Sequence, residues 1–359
     1  VVGDVLGSPT LGKLVKQGDG TLALDAANTY SGGTNVNKGK VVVNKDASLG
    51  TGSVTFANAT TLETSAKVNL ANQIQLDGNT TFNTTVDAQQ NDNALVVAGT
   101  ISGTGGLTKV GASSVTLDGV NTYTGGTTVN AGKVVVSQDA ALGTNSVTLA
   151  SGTTLETSAK VTLSNNVHFT GTGDVILSVL NVGENNGSII SGSIDGTGRL
   201  VKTGAGVLQL DGANDYSGGT TIKEGKLAIT SGQNLGTPGK INITLAGGDL
   251  QLLGDLDILG AGNSITVAAD TSGAIDTNGH NSAVDSVLQG VASSTFVKKG
   301  EGTLTLQADN SSFAGGVTVE KGTLAITQDN NVGSANSILA LNGGVLDIGA
   351  DLTLAHAIS

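Results

Sequence analysis

Apolar and polar residues alternate along this chain in short bursts: Lys133-Val-Val-Val136, Ser146-Val-Thr-Leu149 and Thr153-Thr-Leu-Glu-Thr157 follow one another about every ten residues. Gly, Asn, Asp and Ser punctuate the intervals, which predicts short strands joined by tight turns. No segment carries an apolar stripe of 3.6-residue period with helix caps, so the expected fold is nearly all β.

The bursts belong to a longer repeat. Glycine pairs recur at Gly32-Gly33, Gly125-Gly126, Gly218-Gly219 and Gly315-Gly316, spaced 93, 93 and 97 residues apart. Leu49-Gly50, Leu142-Gly143, Leu235-Gly236 and Val332-Gly333 follow them at matching offsets. Upstream stands a lysine, a glycine corner and an alternating run: Lys16-Gln-Gly18-Asp-Gly20-Thr-Leu22-Ala-Leu24 in the first copy. The third copy has Lys202, Gly204 and Gly206, and the fourth Lys298, Gly300 and Gly302. The second has Lys109 and keeps Gly111 but puts Ser113 in place of the second glycine. Between residues 32–70 and 125–163, 29 of 39 positions are identical, which is duplication. The modules run approximately over 14–106, 107–199, 200–296 and an incomplete 297–359.

Composition decides between two ways of stacking such strands. A 93-residue module has the size of a β-sandwich domain. Yet Cys, Met and Trp are absent, and Tyr and Phe together number 8, so each module holds about two aromatics for a core between sheets. Pro-rich or polar linkers between modules are also missing. Val, Leu, Ile, Ala and Thr instead suit a slim layered core, and the expected fold is all-β, a right-handed parallel β-helix (solenoid) running through 1–359 as one continuous segment. Coils of about 18–25 residues put roughly four in each module, and about 15 coils at ~4.8 Å make a rod on the order of 70 Å long.

Charge narrows the partners. The net charge is −12, and Arg199 is the one arginine among 17 basic residues. No basic stripe exists to neutralise a phosphate backbone, which argues against nucleic acid, and acidity disfavours anionic lipid. No run approaches the length of a membrane span, and Val1–Thr10 lacks the basic start of an export signal, so any such signal is expected outside this chain or removed. The missing cysteines exclude a disulfide scaffold and a thiolate metal site.

At Asn28-Thr-Tyr30-Ser-Gly32-Gly33-Thr34, Asn121-Thr-Tyr123-Thr-Gly125-Gly126-Thr127, Asn214-Asp-Tyr216-Ser-Gly218-Gly219-Thr220 and the looser Asn310-Ser-Ser-Phe313-Ala-Gly315-Gly316-Val317 the pattern becomes specific. With the preceding G-x-G-x-L-x-L and the later L-G it resembles the autotransporter-associated β-strand repeat, also called the passenger-associated transport repeat. The resemblance covers about 35 residues of each module. It implies a right-handed β-helical passenger exported through an outer-membrane translocator barrel, displayed on the surface of a Gram-negative cell as a stalk or adhesin. The repeat is expected to assist export and folding. Implied partners are that barrel, a host-cell, matrix or neighbouring-cell receptor, and other copies through self-association. No cofactor or metal is implied. No run at the chain's end resembles a translocator's barrel strands, so an internal passenger segment or an excised piece is expected.

The motif residues also read physically. Adjacent glycines permit positive φ or close backbone approach and can turn the chain between strands. The asparagines suit a corner or an internal ladder. Tyr30, Tyr123, Tyr216 and Phe313 are expected to cover an apolar edge beside the corner. Lys16, Lys109, Lys202 and Lys298 are expected as solvated charges that oppose lateral strand pairing.

Candidate chemistry is sparse. His168, His280 and His356 occupy unrelated module positions without neighbours at metal-ligand spacing. Asp255, Asp257, Asp270 and Asp276 are carboxylates of the type a β-helical lyase or glycosidase uses, but nothing pairs them, and Arg199 lies far along the chain. Gly3-Asp4 with Gly7-Ser8-Pro9 is only a fragment of a serine-protease motif, and Gly103-Thr-Gly105-Gly106 lacks the strand–helix context of a phosphate loop. Turn Asp and Asn residues offer at most an occasional Ca²⁺ ligand. Residues 71–100, 164–195 and 260–297 differ most between modules, with Gln89–Asn93 and Asn185-Asn186-Gly187 as expected exposed loops for recognition. A non-enzymatic passenger is the leading expectation, with an S-layer or extracellular-matrix fibre subunit and a carbohydrate-active β-helix as alternatives.

Overall fold

The computed structural model describes residues 12–86, 92–180, 187–237, 239, 241–258, 260, 263–349 and 351–359. Gly3, Asp4 and Gly7–Pro9, most of the Gln89–Asn93 loop, and Asn185-Asn186 lie outside the described residues. The chain forms two compact units, Val1–Gly171 and Thr172–Ser359. Each is a parallel β-solenoid. Every ladder among the described strands is parallel, and two short 3-10 turns, Gly232–Leu235 and Asp329–Val332, are the described helical elements.

Strand sequences explain the stacking. Val54-Thr-Phe56 buries Val and Phe and leaves Thr55 outside; Thr60-Thr-Leu-Glu-Thr64 buries its first, third and fifth residues. A period of two on a pleated strand sends alternate side chains inward, where the next coil's equivalents lie above them. Each fully buried Val or Leu contributes about 1.5–3 kcal/mol. The aromatics join this core: Phe56 and Phe82 meet edge to face, ring centroids 6.2 Å apart.

The register reveals how module length relates to the coil. In the N-terminal unit Leu14 pairs with Thr34, Thr34 with Val54, Val54 with Ile74, and Ile74 with Ile101, intervals of 20, 20, 20 and 27 residues. The second motif then opens at Leu107 on a different strand stack, paired with Thr80 below and Thr127 above. Four turns consume 87 of the 93 residues, and the remaining six carry the chain to the next side of the coil. The C-terminal unit repeats the step. Leu200, Thr220, Ile243, Ile265 and Leu288 form one column, at intervals of 20, 23, 22 and 23, before the fourth motif opens at Phe296 on another stack. Within each unit, equivalent corners of successive copies therefore face different sides of the axis.

The repeated corner as candidate functional site

The motif lysines are the first correction to the sequence reading. They are not solvated: Lys109, Lys202 and Lys298 are 0% exposed and Lys16 7%. Strand alternation turns them inward, so Lys109 stands in a core column between Phe82 and Val129, and Lys202 between Leu177 and Ile222. The aliphatic stem packs in that column while the ammonium reaches the corner beyond it. There Lys109 Nζ donates to the carbonyls of Val110 (2.8 Å), Gly111 (2.6 Å) and Ala131 (3.1 Å). Lys202 does the same with Thr203, Gly204 and Glu224, and Lys298 with Lys299, Gly300 and Lys321. Lys16 completes the set with Gln17, Gly18 and Lys38. Three N–H donors meet three acceptors, two from the lysine's own corner and one from the following coil. Burial pushes the ammonium of Lys109, Lys202 and Lys298 down to about 8, with Asp92, Glu224, and Asp276 with Glu301 opposing that shift in turn.

The third acceptor immediately precedes a glycine that the corner requires. Gly132 has φ +73°, and a Cβ there would lie 2.4 Å from the Gly111 carbonyl oxygen. Gly39, Gly225 and Gly322 sit equally close on the corners below them. Gly18, Gly111, Gly204 and Gly300 adopt positive φ at the corner itself, as do Gly33, Gly126 and Gly219. Gly316 departs from these: it opens the strand Gly316–Val319 and is not among the positive-φ residues. Gly32, Gly125, Gly218 and Gly315 precede that second glycine. A Cβ on Gly125 would press into the Gly105–Gly106 backbone of the coil below, at 2.3 Å. Gly20 has open space around it, so its position demands no glycine; Gly206 donates its N–H to Val179 O just as Ser113 does to Thr84 O, whereas Gly302 adopts φ +86°.

Of the two roles open to the asparagines, the structure takes the ladder. None adopts positive φ. Asn121 Oδ1 accepts from Ile101 N at 2.7 Å, one coil below, while its Nδ2 donates to Ala141 O at 2.6 Å, one coil above. Asn214 joins Ile194 to Asn234 and Asn310 joins Leu288 to Asn331 in the same manner. Asn28 Nδ2 donates upward to Ser48 O at 2.7 Å. Each amide thus satisfies backbone groups that a corner leaves outside the ladders.

Three of the four aromatics do not cover an edge: Tyr123, Tyr216 and Phe313 are interior residues, 0–1% exposed, while Tyr30 of the first copy is half-buried. The tyrosine hydroxyls find partners four residues on: Tyr30 with Thr34 at 2.6 Å, Tyr123 with Thr127, and Tyr216 with Thr220 at 2.7 Å. Thr34 and Thr127 in turn donate to the Leu49 and Leu142 carbonyls, each at 3.0 Å. Burial pushes the Tyr123 and Tyr216 phenols well above their ordinary range, against the pull of the threonine bond. In the fourth copy both polar partners change together, to Phe313 and Val317. The glycine of each later L-G lies on this ring: a Cβ at Gly143 would meet Tyr123 O at 2.6 Å and its ring at 2.8 Å.

The candidate catalytic groups are dispersed into structural roles. Asp276 is largely buried, and against desolvation, the largest single influence on it, its bonds from Lys226 Nζ at 2.7 Å, Asn278 N and Gln251 hold its carboxyl below the usual range. Asp255 accepts from Asn281 N, with His280 Nδ1 3.5 Å away. Asp257 is exposed in its strand, and Asp270 takes a left-handed turn at φ +57°. Arg199 pairs with Asp174 at 2.6 Å on the surface. His168 lies exposed in the strand Val167–Thr170, and His356 is buried with Nδ1 2.8 Å from Asp329 Oδ1. Among the described residues no group of three His, Asp or Glu side chains is placed to hold a metal ion.

A family profile described as Passenger-associated-transport-repeat matches residues 14–43, 107–136, 200–229 and 296–326. The chain carries four passenger-associated transport repeats. Each passenger-associated transport repeat begins on the lysine strand and ends on the strand of the next coil, so it contains both sides of the lysine contact. The acceptor of the asparagine and the glycine on the aromatic ring lie just beyond it. The chain is also similar to the protein named Adhesin BmaC autotransporter of Brucella suis biovar 1 (strain 1330), at 35% identity over 233 residues. That alignment covers 57% of this chain, and the chain spans only 6% of that relative's length. No solved structure matches significantly.

Proposed function

We propose that this chain is part of the surface-exposed passenger of a Gram-negative autotransporter, a β-solenoid stalk that supports adhesion and its own export and folding. The observation that carries the reading is the fourfold repeat corner, whose contacts stay within a coil or join it to its sequence neighbours. Stacking of this kind lets each coil template the next, which suits a chain that crosses a pore unfolded and folds on the far side. The similarity to an autotransporter adhesin supports display at the cell surface, and the dispersal of Asp255, Asp257, Asp270 and Asp276 supports a non-enzymatic role. An outer-membrane barrel is the partner during export, and a receptor on a host cell, matrix or neighbouring cell is the partner afterwards.

The test is to express the parent gene in a Gram-negative host, treat intact cells with protease, and follow an epitope placed within this segment. Loss of the epitope from intact cells, together with binding of the purified segment to host cells or matrix, is the expected result. Protection of the epitope in intact cells refutes surface display. Ordered sheets of the purified segment under the electron microscope favour a lattice subunit, and release of unsaturated sugars from acidic polysaccharide establishes an enzyme.

A further inference from the structure

Apolar positions alone specify the register of these coils weakly. The strands Val54–Phe56 and Ile74–Leu76 present only apolar residues inward, and a slip of two residues keeps every side chain on its own face.

The motif lysine removes this ambiguity. In the native register Lys109 finds two carbonyls on its own corner and the third 22 residues on, at Ala131 of the next coil. A two-residue slip withdraws that third acceptor and leaves one N–H of a buried ammonium unsatisfied at the end of an aliphatic column, which is costly for a charged donor. We propose that the lysine of each repeat is a positioning residue that selects the register between its own coil and the next, one checkpoint per module, and that its role is uniqueness of the fold more than net stability. Burial without a carboxylate in contact, which holds three of these ammoniums near 8, fits a device that works against stability at neutral pH. The coils between checkpoints take their register from the neighbour already in place.

The chain has no cysteine, so Lys109→Cys introduces a single thiol. Alkylating the unfolded protein with 2-bromoethylamine restores an ammonium at lysine's length; iodoacetamide leaves a neutral amide instead. Both products are refolded and followed by hydrogen exchange over peptides spanning Leu107–Val110 and Thr127–Val129. The aminoethylated protein is expected to give one isotopic envelope with the protection of the unsubstituted chain. The neutral product is expected to give two envelopes in those peptides, in proportions that do not change with exchange time, differing at least tenfold in rate. A single envelope from the neutral product, with native or uniformly weaker protection, overturns the proposal, as does failure of the ammonium to rescue. Should the neutral product not fold, the same pair is made at Lys298, where two envelopes sustain the proposal and a second failure to fold overturns it.

Discussion

The change of Tyr–Thr to Phe–Val in the fourth copy predicts strong coupling in the copies that keep the polar pair. Thr127 spends its proton on the Leu142 carbonyl, so Tyr123 is the donor between the two hydroxyls. Tyr123→Phe removes one bond and orphans no donor, a loss of about 1 kcal/mol. Thr127→Val leaves a buried phenol without an acceptor and the Leu142 carbonyl without a donor, about 2–3 kcal/mol. In the double variant the phenol is gone and only the carbonyl remains unpaired, about 1 kcal/mol. The double variant therefore falls short of the sum of the singles by roughly 2–3 kcal/mol, far beyond the ~0.5 kcal/mol scatter of independent sites. Guanidinium titration supplies the overall shifts. Hydrogen exchange over Tyr123–Val129 and Val147–Ala150 supplies the local ones, since stacked coils open locally. Additivity within ~0.5 kcal/mol refutes the reasoning.

Three further outcomes follow from the same contacts. Gly143→Ala combines a left-handed backbone with a clash on Tyr123 and should cost about 2–5 kcal/mol, whereas Gly152→Ala, at φ +83° with open space around it, should cost only about 1–2; equal midpoint shifts in denaturant contradict this. Asn121→Leu orphans Ile101 N–H and Ala141 C=O, about 2–5 kcal/mol, and should weaken exchange protection in the coils on both sides; an effect confined to one side contradicts the ladder. For the lysines, the folded value near 8 lies below the unfolded value of 10.5, so across that window the unfolded chain binds more protons. Stability should rise with pH above about 8, then turn down above about 10 as unfolded tyrosines ionise while buried Tyr123 and Tyr216 resist; replacing Lys109, Lys202 and Lys298 with Met should flatten the rise in a pH series of denaturant titrations.

What the sequence determined by itself was everything governed by local pattern: strands such as Lys133–Val136 from their alternation, and the module from its glycine pairs. The solenoid was also legible, because two aromatics per module cannot fill a sandwich. The surroundings of each motif residue were decided only by the tertiary structure. Lysine beside glycine reads as a solvated turn residue, and nothing in Lys109-Val-Gly111 announces that Ala131 supplies its third acceptor. The inward alternation of the strand Leu107–Val110 was the one available signal, since a residue two beyond a buried Leu shares its face. The tyrosines misled similarly, their hydroxyl partner being four residues away across a turn. Facing of successive corners depends on coil lengths of 20 and 27 residues adding to something other than the module length. Local chemistry writes strands and turns one at a time; which groups meet across coils is settled only when the turns are stacked.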